Sequence, residues 1–143
     1  MGIEENINVA GLESIIESNP SVDWSTIDLG KKSTRELVDF GEIDSNEAIK
    51  LVKAYQRIVR MLGEEDLEVA KSLLLVNVHS SIQVAAMSKD VFLEKCKSAF
   101  KNKDDGYALK VFKKAKAIRS QILLNYINSI QKNELHIKQL KVH

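Results

Sequence analysis

One proline and six glycines across 143 residues leave this chain almost nothing with which to interrupt a helix. Those few breakers also fall between apolar runs of three-four spacing rather than inside them. Ala48, Leu51, Val52, Tyr55, Ile58, Val59 and Leu62 follow that spacing almost without fault. Asp44 or Ser45 can cap this helix at its start, and Gly63 closes it. No stretch alternates apolar and polar residues at the period of a strand, and no segment repeats at a fixed interval.

The other elements follow from the same signals. A first helix is predicted over Glu4–Glu17, weakened by Gly11 and ended by Ser18-Asn19-Pro20, because the residue before proline avoids the helical region. Residues 20–32 read as an ordered loop, too apolar for a free linker, with Trp24 plugged into the core. Ser33 or Thr34 starts a short helix ending near Gly41. Glu64, Glu65 and Asp66 suit the first turn of a helix running to about Leu75. Val76–His79 form a tight turn, Ser80 caps a short helix through Ala86, and Ser88 caps another that spans Val91, Phe92, Lys95 and Phe100. After the Asn102–Gly106 loop comes the longest element, with a stripe of Ala108, Val111, Phe112, Ala115, Ile118, Ile122, Tyr126 and Ile130. The expected fold is all-α: a compact bundle of about six to seven helices with a helix-hairpin-helix-like element and a long C-terminal helix. The length fits one domain over residues 1–143, with fraying expected after Gln131.

Charge is unevenly placed. Residues 1–48 hold eleven acidic and three basic side chains, whereas residues 94–119 hold nine basic and three acidic ones. The simpler expectation is an acidic N-terminal half folded against a basic helix. The alternative is a charged face for a partner, or head-to-tail self-association. The overall balance of +1 does not by itself call for nucleic acid.

The candidate sites for chemistry each fail on spacing or surroundings. His79, His136 and His143 are too far apart for zinc-ligand spacing, and Cys96 has no second thiol. Asn102–Gly106 imitates the start of a calcium loop, but its glycine is one place early and Phe112, Lys113 and Lys114 stand where the closing acid belongs. No serine lies in a glycine-flanked elbow, and there is no phosphate-binding glycine loop. Glu64-Glu65 and Asp104-Asp105 read as helix-start charges. An enzyme built on Cys96 or on Arg57 and Arg60 has no supporting pattern. No cofactor or small-molecule substrate is expected. Cys96, on a helical pattern between Leu93 and Phe100, reads as a buried and inert thiol.

Two interaction signals remain. Lys110, Lys113, Lys114, Lys116 and Arg119 are candidate partner-binding residues on the long helix. Leu73–Phe92 can form a helix-hairpin-helix, the shape that in DNA-binding proteins lets backbone amides approach a phosphate. Here the turn lacks glycine. Asn77 can adopt the left-handed conformation, but Val78 beside it hinders close approach, so nucleic acid is not the expected partner. The acid-rich N-terminus has neither the basic nor the continuous apolar region of a secretory signal, and no run is long enough to span a membrane. The expectation is a chain made as a soluble cytoplasmic protein, with any export taking a non-classical or machine-dependent route.

Three stretches taken together resemble a known family: Asn19–Asp28 (NPSVDWSTID), Lys53–Met61 (KAYQRIVRM), and Leu73-Leu74 followed by Ser80–Ser88 (SSIQVAAMS) and Phe92. In this order and spacing they are similar to a helical segment of the A component of insecticidal toxin complexes, a group that also resembles the Salmonella virulence-plasmid A protein. The resemblance covers roughly residues 15–130. It departs at the hairpin, where the family's glycine is Asn77, and it spans only one module of very large proteins. It therefore implies a structural or docking module and carries no toxin activity with it. The function expected on these grounds is a non-enzymatic protein-interaction or assembly module of a toxin, virulence or injection system, whose partner is itself or a larger secreted assembly. The alternative is a helix-hairpin-helix nucleic-acid-binding domain.

Overall fold

In the computed structural model, residues 7–141 are described, with side chains described as far as Leu135. Seven helices and no strand occur among them: α1 Val9–Ser18, α2 Lys32–Arg35, α3 Ser45–Leu62, α4 Leu67–Leu75, α5 Ser81–Ala85, α6 Lys89–Lys95 and α7 Tyr107–Lys141. The all-α bundle with a long C-terminal helix is what the spacing predicted.

Side-chain caps set most helix starts. The Asn8, Asp44, Asp66, Ser80 and Ser88 side chains each accept a backbone N–H from the first turn of their helix. Asn8 moves the start of α1 later than expected, to Val9; Glu4–Asn6 lie outside the described residues. At α4 the expectation needs correcting, because Asp66 is the cap itself and Glu64 and Glu65 precede the helix. Gly63 closes α3 in the left-handed region, at φ 79°.

The predicted helix from Ser33 to Gly41 shrinks to the single turn of α2. Two tethers pull the chain out of helical geometry there. The Arg35 guanidinium donates to the carbonyls of Leu29 and Gly30. Buried Asn19 bridges to Asp39, donating to its carbonyl at 2.8 Å and accepting its N–H at 2.9 Å. The same Asn19 amide also donates to Ile15 O, so the end of α1 and the 36–44 segment are fastened together. The helix α6 stops at Lys95, and Phe100 reaches the core from the turns that follow it.

The core is built mainly from one face of α3 (Leu51, Ile58, Met61) with Leu12 and Ile15 of α1, Leu73 of α4 and Phe92 of α6. Phe92 stacks on Phe112 of α7 with ring centroids 5.5 Å apart, and Phe100 lies 5.6 Å from Tyr107. The start of α7 therefore lies against α3, α5 and α6. Trp24 is buried as expected, and the Gln56 side-chain amide of α3 donates to the carbonyls of both Trp24 and Ile27, which pins the 20–31 loop to the bundle.

Candidate interaction surface

At 35 residues, α7 is about 52 Å long by the helical rise of roughly 1.5 Å per residue, longer than the rest of the domain needs. Its apolar stripe divides into two parts. Val111, Phe112, Ala115 and Ile118 are buried against the body. Beyond Ile118 the same kind of side chain meets no cover: Ile122, Leu123, Leu124, Tyr126, Ile127, Ile130 and Leu135 are 39–64% exposed. Spacing alone assigns residues 108–123 to the domain's own core, but burial stops at Ile118. The body ends one turn sooner, and Ile122 and Leu123 already belong to the exposed part. The backbone stays helical past Gln131 to Lys141, through the stretch where fraying was expected.

Helical geometry places the exposed residues relative to the buried ones. Ile122, Tyr126 and Ile130 continue the line of Val111, Ala115 and Ile118 at three-four spacing, with Leu123 and Ile127 beside them. Leu124 and Leu135 lie round the other side. No charged residue occurs between Arg119 and Lys132. The surface is therefore a neutral, apolar ridge running off the body in line with its core.

The basic candidates sit on the near part of α7. Lys110, Lys113, Lys114, Lys116 and Arg119 are all exposed, and none forms an ion pair among the described residues. They do not make one stripe. Lys110, Lys113 and Lys114 share a side, whereas the Lys116 ammonium lies 5.1 Å from the Phe112 ring and helps to roof the core. Among the described residues, no acid of the N-terminal half pairs with them either. Glu13 of α1 pairs with Lys71 of α4, and Lys103 pairs with Glu64 and Asp66. The expected fold of acidic half against basic helix is not how these charges are arranged.

The hairpin between α4 and α5 has the predicted left-handed Asn77, at φ 61°. Its amides are turned inward. The N–H groups of Val76, Asn77 and Val78 donate to carbonyls of α4, and that of His79 donates to the Gln83 carboxamide. Gln83 in turn donates to Asn77 O at 2.5 Å, and Val78 is fully buried. A phosphate at this turn finds Val76–His79 already engaged. Arg57 of α3 donates to His79 O at 3.1 Å and so braces the hairpin. Burial, reinforced by Arg57, holds the His79 imidazole below its usual pKa.

Two further features bear on chemistry. Cys96 is fully buried, and desolvation pushes its thiol up to about 11, so it is not a thiolate at neutral pH. Lys50, Lys53 and Arg57 line an open cleft of about 480 Å³ with His79, Glu47 and Ile7. Sequence reading missed this cleft, although the 50-53-57 spacing puts the three cations on one helix face. No group of three or more metal-ligating side chains occurs among the described residues, and no helix among them is long and apolar enough to cross a membrane. No family model, curated protein or solved structure matches the chain.

Proposed function

We propose that this chain is a non-enzymatic protein-interaction and assembly module, similar to a helical part of the A components of insecticidal toxin complexes, and that the far half of α7 is the surface through which it assembles. The observation that carries this reading is the ridge of large exposed apolar side chains from Ile122 to Ile130, in a stretch that carries no charge. Exposed contiguous apolar surface of this kind is unusual on a monomer and marks interaction sites. The inward-turned hairpin supports a scaffolding role for the motifs that resemble those of the toxin components. Gln56 holds the NPSVDWSTID loop, Asn19 ties that loop to residue 39, and Arg57 holds the hairpin turn.

The test is co-elution of the full chain, alone and mixed with the components of an insecticidal toxin complex. The full chain is expected to co-elute with itself or with one of those components, and Leu123→Lys with Ile130→Lys to abolish that association while leaving the melting temperature of the body unchanged. Association that survives the double substitution, or none at all with any component, contradicts the proposal. A helix-hairpin-helix role in nucleic-acid binding instead requires a salt-dependent shift with random DNA.

A further inference from the structure

We infer that the occupant of the far half of α7 is a second copy of this chain, with the two helices packed antiparallel. This rests on the reading of that face as an interaction surface and names its partner.

Three observations point to self-pairing. The first is area. Ile122, Leu123, Tyr126, Ile127 and Ile130 are left about half exposed and offer on the order of 100 Å² each, so the ridge presents about 500 Å² per partner, the scale of a small interface between two copies. The second is charge. The twelve residues from Ser120 to Gln131 carry none. Burying this ridge against its own copy strands no ionised group, whereas an acidic or basic partner would lose the solvation of its charges with nothing to meet them. The third is spacing. Leu123 and Ile130 are seven residues apart, Tyr126 and Asn133 follow each of them by three, and Ile137 and Leu140 continue the pattern in sequence. This is the repeat of a two-helix seam, and a lone Asn within it is the kind of residue that fixes register.

The orientation follows from where the body sits. Val111, Ala115 and Ile118 face the body, and Ile122, Tyr126 and Ile130 continue that line along the helix. The ridge therefore looks out on the side of α7 that the body occupies. A parallel pair would bring both bodies to one end and to the inner side of the seam, where they collide. An antiparallel pair places them at opposite ends of a seam of 21 residues from Ser120 to Leu140, about 32 Å long. Each body then abuts the tip of the other helix. The contact is isologous and closed, so it gives a dimer and not a filament.

Sedimentation velocity of the full chain, read against concentration and salt, tests this. The expected result is a concentration-dependent dimer that persists in 0.5 M salt, roughly a hundredfold or more weaker in Leu123→Glu with Ile130→Glu, since each substitution removes a fully buried aliphatic side chain from the seam. Both side chains lie off the core, so the melting temperature of the body serves as the folding control. A second variant, Leu123→Cys, is expected to dimerise without forming an intermolecular disulfide on oxidation, because the two positions lie far apart in an antiparallel pair. A strict monomer at 100 µM overturns the inference. So does a dimer that dissociates with added salt, which would assign the contact to the charged halves of the chain, or a Leu123→Cys disulfide, which would make the pair parallel. A monomer that still binds a toxin component through Leu123 and Ile130 overturns this inference alone and leaves the interaction reading intact.

Discussion

At the scale of single residues, the motifs that look most like functional signatures are occupied by structure. Gln56 is the clearest case. Its one amide nitrogen meets two carbonyls, at 3.2 Å on Trp24 and 2.7 Å on Ile27. Gln56→Ala is expected to cost about 1–3 kcal/mol, the range for two net hydrogen bonds whose carbonyls are left behind. Gln56→Glu should cost more, because a carboxylate has no donor for either carbonyl and adds repulsion. Urea denaturation of the three proteins checks the order; a Glu variant as stable as wild type would mean that the loop is held by Trp24 packing alone. Much at this scale was legible in advance. Asp44, Ser80, Ser88 and Gly63 act where the pattern put them, because capping is a local property of the backbone ends. Asn19, Gln56 and Arg57 were not legible as tethers. Each reaches a backbone group 20 or more residues away, and nothing in local spacing encodes which carbonyl a long side chain will find.

The same division holds for elements. The long helices α3 and α7 follow from periodicity, and the left-handed turn at Asn77 follows from a short polar side chain that tolerates that region. Helix α2 fails to extend because tertiary tethers from Asn19 and Arg35 override its propensity. The start of α4 shows how an element is fastened across the fold. Asp66 caps it and also lies 2.6 Å from the Lys103 ammonium, just ahead of α7. The Lys103 hydrogen bond holds the Asp66 carboxyl below its ordinary value of 3.8. A carboxyl with a depressed folded-state pKa stabilises the fold above its unfolded value, and that contribution disappears as pH falls through the folded one. Wild type should therefore lose stability below about pH 4, and Asp66→Asn should lose less over the same interval while being less stable at pH 7. Urea midpoints at pH 3 and pH 7 measure this; equal slopes for the two proteins would show that the pair is too solvated to matter.

The whole molecule consists of a bundle that ends at Ile118 and a helix that does not. From sequence, the α7 stripe looks uniform, because Ile122 and Ile130 have the same character and spacing as Val111 and Ile118. Where the body stops covering it depends on how far α3, α5 and α6 reach along it, which is a property of the packed fold. A helix of about 23 residues with no tertiary support is only marginally stable in water. The far half of α7 therefore needs a partner to hold the shape it has here, and this is the central claim. Amide hydrogen exchange along α7, followed through serial dilution, tests it most directly. Residues 107–118 should stay protected at every concentration, while residues 120–135 should be protected only when the chain is concentrated or bound and exchange within seconds once it is dilute. Equal protection of the two halves at every dilution, or a far half that never becomes protected under any condition, would contradict it.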